Sequence, residues 1–227
     1  MLQNNQRGGQ SLAQQVANKI ELMIQNQIFK IGEQLPNEFD LAAELNVGRG
    51  TIREAIKLLA ARNIVRIQRG KGTFVSETPG LTEDPLGLNF IEDKQRLSHD
   101  LMAVRMMIEP EICQLAARHA TEEEVQEMVS ICHEIEELIY QNKNHESKDI
   151  ELHSLIAKAS KNVVVPSLIP IIQTAISLFI NLTNRRLKEE TIETHREIVE
   201  AIKNKDEKLA KEAMERHLGF NKKELKL

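Results

Sequence analysis

Four residues in the C-terminal half have the types and spacing to hold a metal ion. Asp149 and His153 lie four apart, so a helix would stack them on one face. His195 and His217 fall on two consecutive helical stretches joined by Asn204-Lys205-Asp206. Counted from Lys205, His195 is ten residues back and His217 twelve forward. At the helical rise this is about 15 and 18 Å, so antiparallel packing would bring the two rings nearly level. One carboxylate and three imidazoles suit Zn, Ni, Mn or Fe, and a six-coordinate ion would keep open positions. Taken alone, an Asp and a His one turn apart more often form a surface pair or a local hydrogen bond. His99, His119, His133 and His145 lack comparable partners and read as surface or capping residues.

A second chemistry belongs to the N-terminal third. Between Arg49 and Lys71 stand seven basic residues, Arg49, Arg53, Lys57, Arg62, Arg66, Arg69 and Lys71, against the single acid Glu54. The whole chain carries a formal net charge of -4, so this local excess calls for an anionic partner. A phosphate backbone fits, because Lys and Arg gain affinity there by releasing condensed counterions.

The elements that would position these residues follow from periodicity. Leu12, Val16, Ile20 and Ile24 recur every fourth residue and predict a first helix. Asn37 caps a second, with Asp40 at the reciprocal position, and Asn46 supplies a left-handed stop. Gly48 opens a third helix, ending at Asn63, whose Ile52, Ala55, Ile56 and Leu59 face a core. Arg49, Arg53 and Lys57 form a separate outward stripe, and Arg at the start of such a helix can bond guanine O6 and N7 in the major groove. Ile64–Gln68 and Thr73–Ser76 then read as two strands around the cationic tip Arg69-Gly70-Lys71-Gly72. Three helices and a basic hairpin outline a winged helix-turn-helix.

Beyond Thr78-Pro79-Gly80 the pattern is helical throughout. Helices are expected at Leu97–Ala120 with an interruption near Glu109-Pro110, after Thr121 to Gln141, and at Lys148–Ser160. Others follow at Pro166–Leu187, Glu190–Asn204 and from Glu207 onward. The fold class is therefore mainly α. A flexible polar N-terminus (1–10) precedes a winged helix-turn-helix domain (11–77), a linker (78–82) and an all-α bundle (83–227).

Charge divides along the same boundary. Residues 1–78 hold ten Lys/Arg and seven Asp/Glu, and residues 79–227 hold twenty and twenty-seven, so a basic head precedes an acidic body. Cys113 and Cys132 form no metal-binding or redox pair and read as reduced cytoplasmic thiols. Asn162–Asn184 carries no charge, but two prolines and several polar residues make it a poor bilayer span, and a buried central helix is expected instead.

Both halves resemble known families. The head is similar to the GntR family of bacterial transcription factors at Leu35-Pro36-Asn37-Glu38, at Val47 to Ile56, and at Gly70 to Val75. It departs from the usual pattern at Phe39, Gly48 and Gly50. That resemblance implies that Arg49, Thr51 and Arg53 face double-stranded DNA, with Arg69, Gly70 and Lys71 forming a wing tip near a minor groove. The body resembles the FCD ligand-binding domain of the FadR subfamily over Arg105–Ala117, Asp149–Asn162, His195–Asp206 and Ala210–Leu218. It implies a divalent metal on Asp149, His153, His195 and His217 that helps hold a small organic acid, with Arg105 meeting the acid's carboxylate. Arg105 also has Glu109 four residues on, the spacing of a plain helix-surface ion pair.

These readings converge on a cytoplasmic, homodimeric transcription regulator, read as a repressor, that binds operator DNA and responds to an acid. It is neither an enzyme nor a membrane protein on this reading. A metal-sensing regulator uses the same ligands. A metal-dependent hydrolase with a basic targeting head would need a general base near metal-bound water, and the body has no HExxH-type motif.

Overall fold

The computed structural model describes residues 10–82, 84–183 and 187–225. Most of the expected flexible N-terminus, Glu83 at the expected start of the body, and the end of the expected helix to Leu187 lie outside the described residues. The chain divides into two compact units, Met1–Glu83 and Asp84–Leu227.

In the first unit, α1 (Leu12–Gln25) starts where the Ser11 side chain accepts from the Gln14 N–H at 3.2 Å. Its Val16, Ala17, Ile20 and Ile24 are buried, while Leu12, at the helix start, is exposed. α2 (Glu38–Leu45) is capped by Asn37, which accepts from the N–H groups of Phe39 and Asp40, and Asn46 stops it at φ 55°. α3 (Arg49–Ala61) buries Ile52, Ala55, Ile56 and Leu59 against α1 and α2. Strands β1 (Val65–Gln68) and β2 (Gly72–Val75) pair antiparallel, with Gln68 opposite Gly72. β1 starts one residue later than expected, because Ile64 N–H closes the helix on Leu59 O at 2.9 Å, and β2 lies one residue earlier than expected at both ends.

The expected linker is partly tied down. Asn63, at φ 52°, donates from its amide to Thr78 O at 3.1 Å and to Leu81 O at 2.5 Å. Gly80 N–H returns a bond to Asn63 O at 3.2 Å. Residues 78–81 therefore fold onto the end of α3.

The second unit consists of six α-helices with two short 3₁₀ turns among its described residues: α4 (Lys94–His119), α5 (Glu122–Tyr140), α6 (Glu146–Ala159), α7 (Ile169–Thr183), α8 (Lys188–Lys203) and α9 (Glu207–Glu224). Thr121 and Glu124 form a complete capping box at the start of α5. α4 runs unbroken through Pro110, against the expected interruption, with the ring buried in the bundle. Proline inside a helix costs about 3 kcal/mol or more. Buried contacts made by its neighbours Glu109, Ile112 and Cys113 offset this. The apolar stretch enters through a 3₁₀ turn at Val165–Leu168 carrying Pro166. Val165–Thr183 is long and apolar enough to cross a membrane by length and composition. Here Ile172, Ile176, Phe179 and Ile180 join the bundle core, while Ile171, Thr174 and Leu178 are only half-buried. Ile171 and Leu178 pack with Ala175 against Leu97 and Leu101 of α4, so the helix contributes to two apolar clusters. Cys113 and Cys132 are free thiols.

Candidate nucleic-acid interface and metal centre

In the first unit α3 exposes the expected basic stripe. Arg53 forks onto Glu38 at the start of α2, with Nη2 to Oε2 at 2.8 Å, and its hydrogen bond lowers the Glu38 carboxyl below its usual range. Lys57 Nζ lies 2.8 Å from Glu54 Oε1. Both pairs are solvent-exposed, and such pairs stabilise by at most about 1 kcal/mol. They can therefore exchange partners when a phosphate or base edge arrives. Arg49 has no ion pair among the described residues and stands in the first turn with Gly50 and Thr51. The wing tip is built on backbone geometry: Gly70 sits at φ +75° and Lys71 N–H donates to Gln68 O at 2.9 Å. Gln34 Nε2 donates to Lys71 O at 2.8 Å and braces the turn. The side chains of Arg69 and Lys71 remain exposed.

In the second unit, three helices converge on one buried point. α6 carries Asp149 and His153 on one face, and α8 and α9 pack together through the turn at Lys205, φ 56°. The rings of His195 and His217 lie 4.7 Å apart, and His153 is 5.8 and 5.4 Å from them. One nitrogen from each of the three rings falls within 4.8 Å of the others. Asp149 Oδ1 lies 3.3 Å from His195 Nε2 without hydrogen-bond geometry.

Among the described residues, four buried polar atoms here have no hydrogen-bond partner: Asp149 Oδ1, His153 Nε2, and both His195 ring nitrogens. Orphaned buried polar groups are rare because each carries its full desolvation cost. A cation would satisfy several at once. Burial, opposed by Asp149, pushes the His195 imidazole down to about 4. Burial and the neighbouring rings push His217 well below its ordinary value. Neutral imidazole is the metal-binding form, so the donor set fits a divalent ion of the Zn, Ni, Mn or Fe group.

The surroundings contain residues the spacing did not reveal. Glu109 on α4 accepts from Arg105 and lies 2.6 Å from His153 Nδ1. Burial pushes its carboxyl up, but Arg105 and His153 outweigh this and hold it at about 2. Thr194 Oγ1 is 2.7 Å from Glu190 O and 2.9 Å from His217 Nδ1. Its one proton goes to the carbonyl, so it accepts from Nδ1–H and leaves His217 Nε2 unprotonated. Asn221 Nδ2 lies 3.2 Å from that Nε2. Asn221 stands one turn beyond His217, a spacing that could have marked it. His145 stands at the N-cap of α6, as expected of a capping histidine, but it is buried and not at the surface, and its side chain makes no capping bond.

Arg105 also departs from expectation. It is 2% exposed and its Nε is held by Glu109, so this ion pair is buried and is not the helix-surface pair that the spacing allowed. Beside the cluster lies a cavity of about 20 Å³ with His145, Asp149, Thr183, Thr191, His217 and Asn221 among its lining residues. A volume of that kind holds about one water.

Comparison with known proteins decides the family. Residues 12–75 match the model of bacterial regulatory proteins of the gntR family, and residues 100–220, over half the chain, match that of the FCD domain. The chain belongs to the GntR family. This GntR regulator is 27% identical over 221 residues to the HTH-type transcriptional repressor NanR of Salmonella newport (strain SL254), covering 92% of this chain and 83% of the relative. NanR of Salmonella typhimurium (strain LT2) matches at the same 27%, over 92% of this chain and 82% of its own. Among solved structures, Streptococcus agalactiae GntR superposes with a TM-score of 0.81 at 36% identity, covering 93% of this chain and 99% of that one. With its winged head and FCD bundle, the chain is a DNA-binding transcription regulator and not an enzyme.

Proposed function

We propose that this regulator is a cytoplasmic homodimeric repressor whose grip on operator DNA is set by a divalent metal and a small carboxylate held in the FCD bundle. Arg49, Thr51 and Arg53 read an inverted-repeat duplex in the major groove, while Arg69, Gly70 and Lys71 hold the wing on the backbone. A twofold dimer requires a matching twofold in its operator. Asp149, His153, His195 and His217 hold the ion. The observation that carries this reading is the set of orphaned buried donors on three converging helices.

When bound, the ion supplies a concentrated positive charge with open positions for a carboxylate or sugar acid. The chain's own residues shape what enters. Asn221 can offer an amide N–H on the cavity wall, the Thr183 and Thr191 hydroxyls already donate to Phe179 O and Leu187 O and so can only accept, and Phe179 and Ile180 line its apolar side. Arg105, whose Nε is paired with Glu109, is the candidate to meet the acid's carboxylate through its remaining N–H groups.

A second reading, a metal-sensing regulator, is favoured by cavity size, since about 20 Å³ admits a water and not an organic acid without rearrangement. One experiment separates the two. A duplex selected from random fragments is titrated with metal-free protein, metal-loaded protein, and metal-loaded protein plus a library of hydroxy acids, sugar acids and dicarboxylates. A change on adding acid supports the effector reading; a change complete with metal alone supports the sensor.

A further inference from the structure

We infer that Glu109 is a positioning residue for the metal centre, held in place by Arg105, and that it fixes the tautomer of His153 so that Nε2 faces the ion. The inference rests on the proposed metal site. Glu109 reaches His153 from a different helix, with Oε2 2.6 Å from Nδ1. A carboxylate can only accept, so Nδ1 carries the ring proton and Nε2 presents its lone pair. That Nε2 is the atom left buried without a partner. Arg105 bonds Glu109 through Nε, with a longer contact of 3.4 Å from Nη2 to Oε2. All three side chains are at most 3% exposed.

A carboxylate in this place does two things. It sets ring orientation and tautomer before any ion arrives, and it raises the basicity of the ligating nitrogen. Arg105 holds the carboxylate from the side away from His153, bonding Oε1 through Nε. His195 provides the internal contrast: among the described residues neither of its nitrogens is hydrogen-bonded, so no hydrogen bond there sets its tautomer.

The test uses full-length protein, zinc as the probe, and two readouts. Nitrogen NMR of the imidazoles in metal-free protein reports the tautomer, and competition against a chromophoric chelator reports zinc affinity. Wild type is expected to hold the His153 proton on Nδ1 and to bind one zinc per chain. Glu109→Gln should spread the proton over both nitrogens and weaken zinc by about 10- to 100-fold, with stoichiometry preserved at saturation. Because Glu109→Gln leaves a buried Arg uncompensated, Arg105→Leu combined with Glu109→Gln serves as the variant of neutral interior. Wild-type zinc affinity in a folded variant, or an Nε2–H tautomer in wild type, would overturn the inference. If wild type binds no zinc and His153→Ala changes nothing, the metal site itself fails, and this proposal falls with it.

Discussion

Arg49 and Arg53 carry the same guanidinium in different settings. Arg49 has no ion pair within 4.0 Å among the described residues, whereas Arg53 is paired with Glu38 and would have to leave it to meet DNA. Each is expected to cost about 1–3 kcal/mol of specific binding when replaced by Ala if it reaches a base edge. Because the exposed pair with Glu38 offsets part of what Arg53 gains, Arg49→Ala should be the more damaging change. Lys71→Ala should weaken all duplexes alike. Titrations at fixed salt against specific and scrambled duplexes check this, and unchanged discrimination in both Arg variants would remove α3 as the reading helix. At this scale the histidine cluster was legible, because i, i+4 spacing and an antiparallel turn place side chains by arithmetic. Glu109 was not, because its partner on α6 is 44 residues away and only the packing of α4 on α6 joins them. The burial of the Arg105–Glu109 pair was hidden for the same reason: helical spacing gives the pairing and says nothing about depth.

At the scale of elements, two glycines with opposite surroundings make a paired prediction. A Cβ built on Gly50 in α3 meets nothing within 4 Å, so Gly50→Ala should stabilise the head by about 0.5–1 kcal/mol. Gly72 sits at φ +125° with the Gln34 side-chain amide against the place a Cβ would take, so Gly72→Ala should cost about 1–3 kcal/mol. Denaturant unfolding measures both, and a stabilised Gly72→Ala would contradict the wing geometry. In the body, Glu207 at the start of α9 accepts from Arg118 at 2.9 and 2.6 Å and from Gln114, which lowers its carboxyl from 4.5 to about 2. A depressed folded value means stability present above about pH 4.5 and lost as pH falls toward 2. The stability gap between wild type and Arg118→Met should therefore shrink across that window, and a pH-independent gap would refute the assignment. Caps and stops were readable from local residues, as at Asn37, Asn46 and Thr121. The course of α4 through Pro110 was not, because tertiary contacts outweigh a local breaker.

For the whole molecule, the sequence separates a head that meets phosphate from a body that carries the buried cluster. Any coupling between them is a difference in ligand affinity between DNA-competent and incompetent states, and it is reciprocal. A coupling of about 1–3 kcal/mol would change operator affinity by roughly five- to 150-fold. An inducing acid should then bind more weakly to operator-loaded protein, as calorimetry with and without duplex would show; equal affinities would uncouple the two halves. The two-unit organisation was readable from charge and periodicity, whereas the small cavity beside the histidines depends on side chains from distant helices. The central claim, that the Asp149, His153, His195 and His217 cluster is a metal centre, is tested most directly by elemental analysis. Wild type dialysed after divalent-metal loading should retain one ion per chain, and His153→Ala and His195→Ala should each lose it. Wild-type metal content in both folded variants would contradict the account.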